Sequence, residues 1–425
     1  GARVLVLEAS RRIGGRVYTL DDVPGRPEAG GSEVGSGYAR VLDMMRRVGG
    51  LETDRWRDVF ELRYALHANG VLMRPDQWAG SAANPFADRE RAPGPGGPFS
   101  LAALYALREM PLTGPDSWLD PAIAAKYDTP YAEFLRRQGA SERAIELIGD
   151  LATPDGAAQV SLLWQLRSGY AERSMGGIDG LVRLRRGMSR LTDGMAALLK
   201  TPVRLAAPVV SIREERGGGA LVVVDAHRRR HRARHVISTV PLPLLRRMAL
   251  EPGLPPLAAE AVRGVPYSHG ISVFFHVDAP YWDEDGLPPS LYTTGSVGRA
   301  FRCRYDGGWY LWNFKPGRLS APYRALDDAA IRARALAELV AARPSLQGRI
   351  SPLAVMNWDA NPWTLGHLAY RAPGQIARFG GVLAQPHGRV HLAGEHTAVV
   401  ATGMEGAMES GERAAREVLA ALGVR

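Results

Sequence analysis

Leu7-Glu8-Ala9-Ser10-Arg11-Arg12-Ile13-Gly14-Gly15-Arg16 is the stretch on which the fold of this 425-residue chain turns. The run Val4-Leu5-Val6-Leu7 leads into it and reads as a short apolar strand of the kind buried in a parallel sheet. A carboxylate at the C-terminal end of such a strand, here Glu8, can accept both hydroxyls of a ribose. The pair Gly14-Gly15 lets backbone amides approach an anion closely, because no Cβ intervenes. The flanking Arg12 and Arg16 add bidentate charge suited to a pyrophosphate. The bland alternative is a tight surface turn after a strand. A bare Gly-Gly-Arg would fit that equally well; the whole string does not.

Working outward, residues 38–49 carry a helical apolar pattern (Val41, Leu42, Met45, Val48) that stops at Gly49-Gly50. From about 53 to 174 the chain is rich in amphipathic helix formers, as in Leu101–Met110, Tyr131–Arg137 and Glu142–Ile148. The run 92–98, Ala-Pro-Gly-Pro-Gly-Gly-Pro, reads as a surface loop. Strand-like runs return over Val203–Val240, and 265–357 mixes strands (Ile271–Val277, Trp309–Phe314) with a helix near 327–342. The tail from Gly388 is a strand, a loop and a helix through Leu422.

Composition narrows the classes. Hydrophobic residues make up 46% and charged residues 23%, which argues against a disordered chain. The single cysteine, Cys303, rules out an intrachain disulfide or a Cys-based zinc site. His367, His391 and His396 show no metal-ligand spacing. No apolar run approaches the ~20 residues that span a bilayer, and no signal peptide opens the sequence, so a cytoplasmic protein is expected. Lysine occurs only at 126, 200 and 315 against fifty arginines, a bias expected of a GC-rich bacterial genome. The dense basic cluster, Arg228 to Arg234, lies between two apparent strands and reads as a solvated hairpin. It lacks the aromatic stacking partners that nucleic-acid binding would need.

The 7–16 string resembles the second half of the adenine-dinucleotide site of the flavin-containing amine oxidase superfamily, which includes monoamine, polyamine and L-amino-acid oxidases. Three further segments agree. Glu28-Ala29-Gly30-Gly31-Ser32-Glu33-Val34-Gly35 resembles the segment lying along the flavin. Pro208-Val209-Val210-Ser211-Ile212 with Val236–Pro241 resembles the strand pair whose valine, here Val209, holds the adenine. Gly388–Glu395 and Gly403-Met404-Glu405-Gly406-Ala407 through Gly411 resemble the C-terminal flavin motif. There a carboxylate meets the ribityl chain, and a helix N-terminus faces the pyrimidine end of the ring.

The resemblance implies an α/β protein: a discontinuous Rossmann-like FAD-binding domain (1–52, 175–264 and 380–425) and an α+β substrate domain. The latter combines a helical subdomain, 53–174, with a mixed sheet, 265–379. The implied cofactor is noncovalent FAD, bound by Glu8, Arg12, Gly14, Gly15, Arg16, Gly30, Gly31, Ser32, Val209, Trp358, Gly394, Glu395, Gly403, Met404 and Ala407. Glu33, Trp358 and His367 are the implied catalytic positions. The implied reaction is oxidation of a carbon–nitrogen bond of an amine, amino acid or amide by hydride transfer to flavin N5. O2 would reoxidise the flavin and give hydrogen peroxide. A specialised substrate of bacterial secondary metabolism is expected, and a homodimer stays open. The alternatives are a carbon–carbon desaturase of the same superfamily and a noncatalytic remnant.

Four departures qualify the resemblance. The family begins with a strand and the G-x-G-x-x-G fingerprint. Gly1-Ala2-Arg3 matches the turn after that element, so the expectation is an N-terminally truncated sequence with weakened cofactor binding. Ser272 stands where many relatives place a lysine implicated in the reaction with oxygen. No cysteine occurs in Pro362–His367, where some relatives attach the flavin. His367 and Gly403 replace the two aromatic rings that frame simple amines. Glu33 stands where relatives often carry an aromatic or neutral residue; it can act as a base, hold an N–H, or serve as a cap or salt-bridge partner. Arg302 and Arg304 can recognise a carboxylate or simply be solvated.

Overall fold

The period-two pattern of Gly270–Val277 decides the centre of the molecule. Ile271, Val273, Phe275 and Val277 are buried on one face, while Ser272, Phe274 and His276 point to the other. This computed structural model describes residues 2–92, 98–107, 109–173 and 175–424; most of the 92–98 loop lies outside them. Gly270–Val277 is the second strand of a seven-stranded sheet ordered Ile350–Asn357, Gly270–Val277, Gly308–Pro316, Arg299–Tyr305, Ser290–Thr293, Tyr64–Ala68, Val71–Met73. Neighbours are antiparallel except Ser290–Thr293 with Tyr64–Ala68, which run parallel.

One face of this sheet is closed by the helix Asp328–Ala342. Its Ile331, Ala335 and Leu339 recur at helical spacing and pack on Ile271, Val273, Phe275 and Leu311. Burying each large side chain is worth about 1.5–3 kcal/mol. Asp327 caps the helix by accepting from the Ala330 N–H at 2.8 Å. The opposite face carries Ser272, Phe274, Trp312 and Phe314; Phe274 and Trp312 pack with Trp56 and Phe60, and Phe314 lies beside His367. Ser272 pairs with Phe314, and Phe274 with Trp312.

A second region joins segments distant in sequence. Val236–Ser238 pairs in parallel with Val390–Leu392, and a four-stranded sheet orders Arg230–Ala233, Leu221–Asp225, Val209–Glu214 and Ala249–Glu251. The C-terminal helix Gly403–Ala421 packs on the helix Ala39–Val48. Mixed sheets with flanking helices are the α/β class expected. No helix among the described residues is long and apolar enough to cross a membrane.

Two local expectations are corrected. Val4–Leu7 is not a buried strand: Val4 and Leu5 are 59% and 39% exposed, and only Leu7 forms a bridge, parallel to Arg204. Hydrogen bonds hold this run on one side only, Arg204 N–H to Val6 O at 2.9 Å and Glu8 N–H to Arg204 O at 2.8 Å. No strand among the described residues covers its other edge. The Leu101–Met110 helix stops at Ala103. Looser turns follow, and Pro111 disfavours helical backbone at the residue before it.

Candidate active site

The 8–16 loop is built as an anion cradle. Gly14 and Gly15 both have positive φ, +105° and +59°. A Cβ on Gly14 would lie 2.6 Å from Val17 O, whereas one on Gly15 would meet nothing within 4 Å. The N–H groups of Gly14, Gly15 and Arg16 find no protein acceptor among the described residues. Glu8 is anchored, its Oε1 accepting from Ser10 N–H at 2.8 Å. Arg12 folds back on its own loop, donating to Ile13 O, Val17 O and Gly15 O, with its guanidinium 3.7 Å from the centre of the Tyr18 ring. It rivets the loop rather than reaching out, and the amides of Gly14 to Arg16 stay open. Beside the loop, a groove of about 450 Å³ is lined by Ala9, Ser10, Arg11, Ala206, Pro208, His227 and Trp363. Val209, next to Pro208, opens the adjoining strand.

Arg16 behaves differently from Arg12. Its Nη1 donates to Glu395 Oε1 and to His367 O, both at 2.8 Å. Burial alone would raise the Glu395 carboxyl, but Arg16 overrides it and holds that group below the ordinary carboxylate value. Glu395 also accepts from Ala369 N–H at 3.1 Å. Gly394 donates its N–H to Ser410 Oγ. Gly30 lies directly against Arg16 O, and Trp358 packs there with its Nε1 donating to Ala29 O at 2.8 Å. A Cβ on Gly31 would touch Met404. Ser32 is buried. Gly403 and Ala407, on the first turns of the C-terminal helix, keep access to solvent.

Of the residues expected on the substrate side, His367 adjoins Arg16 and Phe314, whereas Glu33 neighbours Arg299, Glu172 and Tyr38. Burial, then the Arg16 charge, pushes His367 down to about 4, so its imidazole is neutral at pH 7. Its ring lies 5.5 Å from that of Phe314. Glu33 is accessible to solvent, yet burial dominates its charge state and raises its carboxyl. Arg299 pulls it back and Glu172 pushes it further up. Tyr38 reaches into space that Gly403 leaves open: a Cβ there would stand 3.5 Å from its hydroxyl. Ser272 accepts from Trp312 Nε1 at 3.1 Å. The buried Lys315 is on the opposite face, paired with Glu338 at 2.9 Å, and brings no cation to this side. Arg302 is tied to Glu61 at 2.7 Å, Arg304 is exposed, and Cys303 is buried with Sγ toward Phe301 O.

Several contributing residues escaped the sequence reading. Glu405 accepts from Arg40 N–H and Val41 N–H at 3.0 Å each, binding the start of the helix Ala39–Val48. Glu409 accepts from the N–H groups of Val399, Val400 and Ala401, fixing the loop before the C-terminal helix. The i, i+4 spacing of these two acids on one buried face was the available signal. Tyr38 and Glu172 had none.

The donors suit a flavin dinucleotide: open amides for phosphate, a groove beside Glu8, and a helix N-terminus that keeps access to solvent. The sequence profile described as flavin containing amine oxidoreductase matches residues 1–419. The chain belongs to that family. Amine oxidase [flavin-containing] B of Sus scrofa is 28% identical over 459 residues, covering 100% of this chain and 82% of the relative. The Homo sapiens protein of the same name is 28% identical over 456 residues, with the same coverage. Cyclohexylamine oxidase from Brevibacterium oxydans IH-35A superposes with a TM-score of 0.79 at 25% identity, covering 100% of this chain and 94% of that one. Wild-type putrescine oxidase bound to putrescine shares the fold, with a TM-score of 0.78 at 22% identity over 99% of this chain and 94% of that one. The protein is thus an oxidoreductase acting on CH–NH bonds with FAD as its cofactor. The 362–367 segment has no cysteine, consistent with noncovalent attachment.

Glu28 makes the 28–35 segment pH-sensitive. It is 7% exposed and accepts from Thr19 Oγ1 and from Met188 N–H at 2.8 Å. Burial pushes its carboxyl up to about 7, against the pull of Arg183. The folded state then holds a proton that the unfolded chain has released, so this contribution is complete below the unfolded value and is lost as pH rises to about 7. His367 and His396, both pushed down to about 4, act in the opposite sense. The difference between wild type and Glu28→Gln isolates the glutamate. The variant is expected to gain relative to wild type between pH 5 and pH 8, by up to about 3 kcal/mol. Thermal midpoints at the two pH values check this; a constant difference would refute it.

Proposed function

We propose that the protein oxidises the carbon–nitrogen bond of a small amine in the crevice between the seven-stranded sheet and the C-terminal helix, with O2 as acceptor and hydrogen peroxide as product. The observation that carries this is the pair of hydrogen bonds donated by Arg16 Nη1. It ties the dinucleotide loop to the C-terminal motif at Glu395 and to the substrate side at His367.

When bound, FAD supplies the acceptor for the hydride leaving the carbon next to nitrogen. The chain's own residues do the rest. The amides of Gly14 to Arg16 hold phosphate, and Glu395 offers an acceptor to the ribityl hydroxyls. The N-terminus of Gly403–Ala421 favours negative charge at the ring's pyrimidine end. Phe314, Trp312 and the neutral His367 form a weakly polar wall that favours an uncharged amine. Glu33, with Glu172 and Tyr38 behind it, can take up a proton or hold a substrate N–H. Ser272 gives the oxygen step no positive charge, so slow reoxidation is expected.

The test is anaerobic addition of primary and secondary amines, amino acids and amides to the FAD-loaded protein. The flavin band is expected to bleach with an amine, and one peroxide per turnover is expected when air is readmitted. Bleaching by polyenes or porphyrinogens and by no nitrogen compound would favour the desaturase. No bleaching by any of them would overturn the proposal.

A further inference from the structure

Methionine is unevenly placed in this chain. Six of its 11 methionines, Met44, Met45, Met188, Met195, Met404 and Met408, meet in one apolar cluster where the helices Ala39–Val48, Ser189–Ala197 and Gly403–Ala421 pack together. Met45 and Met188 are sealed inside, at 8% and 0% exposure. Met404 and Met408 stay half-buried on the first turns of the C-terminal helix. Unbranched thioethers fill irregular space well, so packing accounts for the inner members. It leaves the accessible thioether at the helix start to be explained.

Met404 rests on Gly31. Its Cγ and Sδ both lie 3.1 Å from where a Cβ on Gly31 would stand. Gly31 N–H in turn donates to Arg16 O at 3.0 Å, which carries the contact into the dinucleotide loop. The preceding residue, Gly403, is exposed and has no side chain to screen the thioether from solvent. Oxidation of such a sulfur by hydrogen peroxide needs only access. A sulfur lone pair forms the S–O bond, the O–O bond breaks, and the other oxygen leaves as water, so that thioether and H2O2 give sulfoxide and H2O. The product is polar and carries one more heavy atom, at a contact that is already close.

We propose that Met404 is an oxidation site for the enzyme's own hydrogen peroxide, and that its sulfoxide loosens the contact with Gly31 and releases flavin, so that turnover limits itself. The inference rests on the proposed function twice, for peroxide as product and for the start of the C-terminal helix at the flavin ring. Met404 is oxidised first because peroxide is formed beside it. Met110 and Met248 are also half-buried but pack in other clusters, so they meet only diluted peroxide. Met45 and Met188 are reached last.

The test turns over FAD-loaded protein with amine in air and follows each methionine by peptide mass spectrometry, with peroxide and released flavin measured in the same samples. Met404 is expected to gain one oxygen atom several-fold faster than Met110 and Met248. In a parallel sample without amine, added hydrogen peroxide should oxidise the three at comparable rates, and flavin release should again follow Met404. Catalase, which removes peroxide in bulk, should protect Met110 and Met248 more than Met404. Met404→Leu keeps the volume without an oxidisable sulfur, and should decline from its own initial rate several-fold more slowly than wild type. Met404→Gln, polar like the sulfoxide, should retain less flavin from the start. Peroxide formed while Met404 is no more oxidised than Met248 would overturn the inference, as would flavin retained by protein fully oxidised at Met404; both leave the amine reaction intact. Turnover without peroxide would overturn it together with the oxygen step, and the peroxide assay tells the two failures apart.

Discussion

Replacing Arg16 by methionine is expected to destabilise the protein by about 3–5 kcal/mol, the usual cost of removing one partner of a buried ion pair. Glu395 is 13% exposed at its side chain, and Arg16 Nη1 lies 2.8 Å from its Oε1. With Arg16 gone, the described residues leave that oxygen only the Ala369 N–H at 3.1 Å. Burial would then push the Glu395 carboxyl up, and His367 O would lose its donor as well. A large drop in the thermal midpoint and loss of retained flavin are both expected. The double variant Arg16→Met, Glu395→Gln should recover part of the stability, because no uncompensated charge remains buried. A single variant within 1 kcal/mol of wild type, or a double variant that simply adds the two losses, would show that the pair is not the joint inferred here.

The second large effect is expected at Gly30. A Cβ there would stand 1.8 Å from Arg16 O and 3.1 Å from Trp358 Cζ2. The obstacle is backbone. Ala29 N–H bonds Tyr18 O and Gly31 N–H bonds Arg16 O, at 2.8 and 3.0 Å, so the two segments cannot separate without losing their register. Gly30→Ala should cost at least the ~1–3 kcal/mol of ordinary overpacking, and should yield protein with little retained flavin because Arg16 moves with its carbonyl. Gly31→Ala is the control. Its Cβ would meet the flexible end of Met404 at 3.1 Å, so a much smaller loss is expected. Equal losses at the two positions, by midpoint and flavin absorbance, would show that the close crossing is not what matters.

Helices with strong periodicity were legible in advance. Residues 38–49 and 131–137 become Ala39–Val48 and Tyr131–Arg137, because the pattern that defines such a helix lies within a few turns of chain. Val4–Leu7 was not. A parallel strand is buried only when neighbours cover both edges, and those neighbours come from elsewhere in the sequence. Arg12 and Arg16 show the same limit within five residues. Both looked like phosphate ligands, yet one turns back onto Tyr18 while the other bonds a residue 379 positions away.

The sequence by itself determined the diglycine loop, the C-terminal motif and the alternation of Gly270–Val277. Each is a local pattern of residue type and spacing, set by backbone sterics and by the period of one element. Only the tertiary structure decided which side chains become neighbours. It placed Tyr38 in the space left by Gly403, Lys315 on the far face of the sheet and Trp363 on the rim of the groove. A side chain's direction follows from the packing of segments that have no sequence relation to one another, so no local pattern encodes it.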